Sequence, residues 1–337
     1  MQDHQLPPSA VIMQMLFGRF VSQAIGTAAK LKLADHLSSG PRTFEQLAKD
    51  ANAHPPSVYR LLRALASLGV FAEQEHGRFA NTPLSEALRD QPGSVRPMAL
   101  FFNDASHLKA WTALDYSVTT GACGFEKAHG SSTWDYVSSH ADVSEIFNNA
   151  MTSLSAQFAP AVAMGYDFSG IATLVDIGGG HGTLLGTILG RHPALRGVLF
   201  DLPHVVAGAP KQLASMGVTE RCEVVGGDFF KQVPTGDAYV MKHIIHDWDD
   251  ARSIEIMKTI HRAAKPGAKL LLVESVIKPG NTPDMGKILD LEMLVVTQGG
   301  RERTEAEYRA LFEAAGFKLE RLVPTMAPVT VLEAIRI

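Results

Sequence analysis

The chain has 337 residues, 46% of them hydrophobic and 20% charged, which suits one large or two ordinary globular domains with a sizeable core. Its net charge of −4 gives no dominant basic surface and disfavours a general nucleic-acid binder. Only two cysteines occur, Cys123 and Cys222, too few for a disulfide framework and expected to be buried thiols in a reducing compartment. Met1–Ala10 lacks the basic head and apolar middle of a signal peptide. Arg19 interrupts the longest early apolar run, so no membrane span and a cytoplasmic location are expected.

The first hundred residues read as helical. Val11–Leu33 is apolar around most of its circumference, with Met13, Met15, Leu16, Phe17, Phe20, Val21 and Ile25. Such a helix needs cover on nearly all sides, and a partner subunit is the expected source. Thr43 to Gln46 has capping-box spacing, and Pro55-Pro56-Ser57 opens a further helix that Gly69 ends. Val70–Ala80 reads as a hairpin turning at His76-Gly77. This is the element order of a winged helix. DNA reading through Arg60 and Arg63 is disfavoured, because Glu73 and Glu75 flank a lone Arg78 on the wing. A packing and dimerisation module is the preferred reading.

More helix is expected over residues 101–160, including a segment from Phe147 into the first long strand. From Thr173 the period changes: TLVDI, GVLF, CEVV, DAYVM and KLLLVES alternate with helical stretches. That alternation predicts an α/β fold with a parallel sheet covered on both faces. FKLERLV from Phe317 and VTVLEAIRI from Val329 follow with only a Pro-containing turn between them, as an antiparallel pair at the sheet edge. The expected division is 1–100 as the packing and dimerisation module, 101–160 as a helical linker, and 161–337 as the α/β domain.

The first of these strands runs into LVDIGGGHG, Leu174–Gly182, and then a helical pattern from Thr183. Glycines there permit positive φ and close approach of a ligand to the backbone, next to the unpaired N–H groups of a helix start. Two ligand classes fit. A dinucleotide fingerprint wants a third glycine where Thr183 stands, so its match is imperfect. The acid-then-GxGxG turn of proteins that bind S-adenosylmethionine fits better. Asp201 and Asp228 close the next two strands, where ligands of open α/β sheets bind. Asp201 suits two ribose hydroxyls; Asp228 suits an adenine amino group with an aromatic neighbour to stack on the base. Either acid alone could instead cap the turn that follows it.

LVDIGGGHG, FDLPHV, GDFFKQVPTGDAYVMKHIIHDWDD and GGRERTEAEYRALFEAAGF occur in that order. Together they resemble the S-adenosylmethionine-dependent O-methyltransferases of the caffeate/hydroxyindole type. The resemblance covers nearly the whole chain, winged-helix module included. It implies a Rossmann-like methyltransferase sheet, mostly parallel with an antiparallel last strand. It also implies an N-terminal winged-helix dimerisation domain, a homodimer, and a small aromatic or polyketide-type acceptor. It places a general base at His246, with Glu274 and Glu302 holding the imidazole. It assigns the donor to Gly178, Gly180, Asp201, Leu202, Asp228, Phe229 and Lys242, with Ser155 and Trp134 as weaker candidates. It assigns the acceptor pocket to Phe147, Met151, Met293 and Thr297. S-adenosylhomocysteine would be the product.

Leu154 stands where plant phenylpropanoid enzymes carry a pocket histidine, which favours a larger or less polar ring system. His243, where relatives often have Trp, suits a flat ring. Asp247 is expected to cap the following helix. His243, His246 and Asp247 also lie at metal-cluster spacing, but methyl transfer from a sulfonium needs no Lewis acid, so no metal is expected. N- or C-methylation is the nearest alternative. A winged-helix ligand sensor and an NAD-dependent dehydrogenase are the alternatives from other classes.

Overall fold

A computed structural model describes residues 6–337; part of the segment in which no signal peptide is read, Met1–Gln5, lies outside the described residues. The chain divides into two compact units, Met1–Leu108 and Lys109–Ile337. Cys123 and Cys222 are free and buried, as expected of thiols outside a disulfide framework. No helix among the described residues is long and apolar enough to cross a membrane.

The first unit opens with a helix, Pro8–Lys30, that buries only Gly26, Ala28 and Ala29. Met15, Leu16 and Phe20 are each more than 60% exposed, so this apolar surface finds no core within its own unit. Helix Phe44–Asp50 starts at a capping box, with Gln46 N–H donating to Thr43 and Thr43 N–H to the Gln46 side chain. Helix Pro55–Ser67 starts on proline, buries Val58, Leu62 and Leu65 along one face, and is followed by Gly69 at φ +77°. A short strand β1 (Arg42–Thr43) pairs with a hairpin of β2 (Phe71–Gln74) and β3 (Arg78–Asn81), in the order β1-β3-β2. His76 and Gly77 both take positive φ at the hairpin turn, which suits the right-handed twist of its strands. Leu33, Leu47, Leu62, Leu65, Phe71 and Phe79 form the dry centre.

The second unit is built on seven strands: β4 (Thr173–Ile177), β5 (Arg196–Asp201), β6 (Cys222–Gly226), β7 (Ala238–Lys242), β8 (Lys269–Glu274), β9 (Phe317–Pro324) and β10 (Thr330–Arg336). Their order is β6-β5-β4-β7-β8-β10-β9. The first five are parallel, and β10 runs antiparallel to both β8 and β9. This is the mostly parallel α/β sheet expected, with one refinement: β10 inserts beside β8, and β9 takes the edge. Val331, Leu332 and Ala334 of β10 are buried, whereas β9 exposes Lys318, Glu320 and Arg321 to solvent.

Alternate residues of each strand feed two cores. Leu174, Leu199, Val240, Leu271 and Val273 join one, and Val175, Val198, Tyr239, Met241, Leu270 and Leu272 the other. The chain winds from β4 out to β6, then restarts at β7 beside β4. The β4/β7 crevice is therefore the switch point, and the carboxyl ends of those two strands carry the glycine turn and the HDW triplet.

Candidate active site

Beyond β4 the backbone must reverse tightly into helix Thr183–Arg191, whose N-cap is Gly182. Gly178, Gly180 and Gly182 take φ of +70°, +60° and +81°, conformations that cost L side chains energy. The N–H groups of Gly178 and Gly179 donate to the Phe200 carbonyl at 2.8 and 3.3 Å, tying the turn to β5. Gly179, which the alternate-glycine pattern skips, is the most crowded of the four. A Cβ there would lie 2.4 Å from Leu199 Cδ1 and 2.7 Å from Asp176 Cγ. Burial raises the Asp176 carboxyl to about 7.

Asp201 sits at the end of β5 facing this turn. Its Oδ2 accepts from Gly180 N–H at 2.8 Å and its Oδ1 from Leu202 N–H at 2.7 Å. Burial pushes the carboxyl up, opposed by those two N–H groups. Each oxygen keeps a further lone pair for a ligand. Asp228 lies two residues past β6, where its Oδ1 accepts from Phe230 N–H at 2.9 Å and its Oδ2 pairs with Lys231 at 3.3 Å. This acid therefore caps its own turn. Phe229 packs edge-on against Phe230 and Trp248, the latter from the HDW triplet. Lys242 ends β7. Burial lowers its ammonium, and Asp176, Glu274 and Asp247 pull it back up.

His246 lies on a single 3₁₀ turn, Ile245–Asp247, and is 5% exposed. Its Nδ1 is 2.6 Å from Glu302 Oε1. Its Nε2 is 3.6 Å from Asp247 Oδ1 and makes no hydrogen bond among the described residues. Glu274 differs from the role the resemblance implies. Its Oε2 stands 3.8 Å from Nδ1, while its Oε1 accepts from the N–H groups of Ile244 and Ile245 at 3.1 and 3.0 Å. Glu302 thus holds the ring and Glu274 the backbone that carries it. Burial works to lower the His246 imidazole, but the carboxylates of Glu274, Asp247 and Glu302 outweigh it and hold the ring above its usual range. His243, at φ +54°, stacks on His246 at 5.1 Å and 19°. Burial, Lys242 and His246 keep it well below its usual range.

His246, Glu274 and Glu302 offer three buried ligand atoms within 4.8 Å of one another, the donor set of a metal site. The 2.6 Å contact between Nδ1 and Glu302 is a hydrogen-bond distance. Tetrahedral coordination by bonds of 2.0–2.2 Å would set ligands about 3.3–3.6 Å apart, so Nδ1 and Glu302 Oε1 would have to separate to share an ion.

The acceptor candidates lie on two helices of the same unit. Phe147 and Met151 are one turn apart on helix Ala141–Gly165, both half-buried. Phe147 meets Trp134 edge-on at 5.8 Å, and Trp134 stacks on Trp248 at 6.2 Å, so an aromatic chain leads from Phe147 to the HDW triplet. Met293 and Thr297 are 6% and 4% exposed at the end of helix Met285–Val296, and the Thr297 hydroxyl donates to the Met293 carbonyl at 2.7 Å. Ser155 and Leu154 are half-buried on helix Ala141–Gly165.

Sequence reasoning missed three residues that build this site. Asp290 Oδ1 accepts from Glu302 N–H at 2.8 Å. Arg303 is fully buried and bonded to the turn that carries His246. Gly300 has no room for a side chain: a Cβ would lie 2.3 Å from Thr297 Oγ1 and 2.4 Å from the His246 carbonyl. The GGRERT run around Glu302 was the available signal. Gly300→Ala is expected to destabilise the fold by about 1–3 kcal/mol and to cut turnover by shifting the His246 backbone. Thermal unfolding and steady-state kinetics of the variant measure both; unchanged values would mean that the turn yields freely.

A family model for the O-methyltransferase domain matches residues 111–318, and one for the O-methyltransferase dimerisation domain matches residues 13–90. Phenazine O-methyltransferase of Lysobacter antibioticus is 44% identical over 331 residues, covering 98% of this chain and 96% of that protein. The 8-amino-8-demethylriboflavin N,N-dimethyltransferase of Streptomyces davaonensis is 38% identical over 310 residues, 90% of this chain and 88% of that one. The structure of human N-acetylserotonin methyltransferase in complex with S-adenosylmethionine superposes with a TM-score of 0.91 at 25% identity, covering 100% of this chain and 99% of that one. The chain belongs to the O-methyltransferase family, carries both its catalytic and its dimerisation domain, and is a methyltransferase.

Proposed function

We propose that this enzyme transfers the methyl group of S-adenosylmethionine to a hydroxyl on a flat, fused-ring aromatic or polyketide-type small molecule, with His246 as general base. The observation that carries the reading is the division of the His246 ring: Nδ1 is engaged by Glu302, and Nε2 makes no hydrogen bond among the described residues. A carboxylate on one ring nitrogen fixes the tautomer and leaves the other nitrogen to take a proton. A phenol of pKa about 10 is mostly protonated at neutral pH, so a base in contact with it raises the fraction of nucleophilic oxygen. That oxygen must then meet the sulfonium methyl in line, at about 3 Å.

The donor is supported by the glycine turn, the two strand-end acids and the human structural neighbour's bound S-adenosylmethionine. Gly178 and Gly180 pass close to its methionine part, Asp201 beside Leu202 takes the ribose hydroxyls, and Asp228, Phe229 and Lys242 surround the adenine. Phe147, Met151, Met293 and Thr297 shape an adaptable, mainly apolar acceptor slot. The phenazine and riboflavin named for two relatives are both fused tricyclic rings, which supports a flat acceptor of that size. The second of those relatives methylates nitrogen, and an amine acceptor on this same site is the rival reading.

Residues 1–100 pair two subunits, with the exposed face of Pro8–Lys30 as the surface that a second copy covers. Residues 101–160 contribute to the acceptor pocket and residues 161–337 to donor binding and chemistry. No metal and no nucleic acid take part. The two free thiols suit the cytoplasm.

Calorimetry with S-adenosylhomocysteine and with NAD tests the ligand class: heat is expected with the first, and heat with NAD alone would overturn the reading. Labelled donor offered with a panel of hydroxylated and aminated tricycles separates oxygen from nitrogen acceptors. The pH dependence carries a further expectation. Three carboxylates hold the His246 imidazole above its usual range, and a sulfonium cation beside the ring works to lower it. The acid limb of kcat/KM for the donor, a property of the free enzyme, is therefore expected at higher pH than the acid limb of kcat. Coincident limbs would contradict this.

A further inference from the structure

We propose that Arg303 is the positioning residue that holds the His246 turn, Glu302 and Glu274 in one rigid arrangement; this rests on His246 being the base. Its side chain is 0% exposed. Nη1 donates to the Ile245 carbonyl at 3.1 Å and Nη2 to the Trp248 carbonyl at 2.7 Å, so the guanidinium grips the chain on both sides of His246 and Asp247. Nη1 also donates to the Arg301 carbonyl at 3.3 Å. Nε and Nη2 both donate to Asp250 Oδ1, at 3.0 and 2.9 Å, which supplies the counter-charge.

The backbone of the same residue completes the link. Glu302 is its chain neighbour, so the grip that fixes Arg303 fixes the start of the Glu302 side chain. The Arg303 carbonyl accepts from Ile277 N–H at 3.0 Å, and Arg303 forms a parallel bridge with Val276, just past Glu274 at the end of β8. All three members of the His-Glu-Glu cluster therefore lie within three residues of a direct Arg303 contact.

The chemistry of the side chain suits this task. Three separate backbone carbonyls and one carboxylate must be served at once by a side chain that is itself fully buried. Arginine alone presents five N–H donors in a fixed fork, whereas a lysine ammonium has three donors on a flexible stem. Ser253 Oγ also lies 3.3 Å from the Ile245 and Trp248 carbonyls, but its one hydroxyl hydrogen cannot serve both fully at once. A buried charge is costly when unpaired, and here Asp250, at the start of helix Asp250–Ala263, pairs it.

Arg303→Lys keeps the positive charge and removes the fork, so the field at His246 changes little while the geometry loosens. Turnover is expected to fall about tenfold or more, with affinity for S-adenosylhomocysteine within about threefold of the parent. As Glu302 drifts from Nδ1, the acid limb of kcat is expected to move to lower pH. Unchanged kcat with an unmoved limb overturns the proposal, as does a fall in kcat matched by an equal loss of S-adenosylhomocysteine binding. Where Arg303→Lys does not fold, Asp250→Asn decides: it leaves the fork intact and removes its anchoring charge, and the same two shifts in smaller size are expected. An Asp250→Asn enzyme with parental kcat and pH limb overturns the proposal. His246→Ala is assayed alongside. Turnover kept by that variant fails the base reading itself, whereas turnover lost there but kept in the Arg303 and Asp250 variants fails only the positioning role.

Discussion

Replacing His246 by alanine is expected to lower kcat by about 10²- to 10⁴-fold, the usual contribution of a general base, while S-adenosylhomocysteine still binds within about threefold. The separation follows from where the groups lie. The donor candidates Gly178, Gly180 and Asp201 sit on the carboxyl ends of β4 and β5, and their mutual bonds involve no atom of His246. The imidazole instead hangs on Glu302 and on a turn that Glu274 and Arg303 hold. Its removal leaves the Glu302 carboxylate buried without its partner, at 3% exposure, so a modest loss of stability accompanies the loss of rate. Raising the pH is expected to recover part of the lost activity, because the acceptor hydroxyl then ionises without help. Product formation by the variant at the parental rate near neutral pH would remove His246 from the mechanism, and binding lost in step with rate would make its role structural.

Asp201→Ala is expected to act on the other half of the reaction. Two charge-assisted hydrogen bonds to ribose hydroxyls, at about 1.5–3 kcal/mol each, amount to roughly 10²- to 10⁴-fold in donor affinity. The substitution also strips the acceptor from Gly180 N–H and Leu202 N–H, bonded at 2.8 and 2.7 Å, so the glycine turn loses one of its ties to β5 and keeps those of Gly178 and Gly179 to the Phe200 carbonyl. Asp201→Asn keeps one acceptor oxygen and should lose less. Calorimetry with S-adenosylhomocysteine measures the affinity, and kcat at saturating donor is expected to change far less than Kd. Affinity within about threefold of the parent would place the ribose elsewhere.

The two substitutions divide the site as the chain itself does. What the amino-acid sequence determined was everything written by neighbours along the chain. The glycine turn follows from consecutive residues, because positive φ is a property of single positions. The Thr43 capping box is a four-residue pattern, and its two bonds form as the pattern requires. The five parallel strands are mainly contiguous runs of β-branched and aliphatic residues that announce themselves locally; β4, β7 and β8 are buried almost throughout, whereas edge strand β6 exposes Glu223 and Val224. The family, too, was legible, since its motifs are short and ordered.

Tertiary structure alone decided which bonds the site residues make. His246 reaches Glu302 across 56 positions, Glu274 reaches Ile245 across 29, and Arg303 reaches Ile245 across 58. No local pattern encodes such partners: Glu274 could as well have met the ring as the backbone, and Arg303 reads in sequence as a surface charge. Gly300 looks like one more turn glycine until the His246 carbonyl is seen where its side chain would be. The place of β10 between β8 and β9 was equally silent, because an antiparallel pair reads alike whichever member meets the sheet. Backbone conformation is chosen by each residue and its neighbours, whereas a buried polar group takes whichever partner the closed fold brings within about 3 Å.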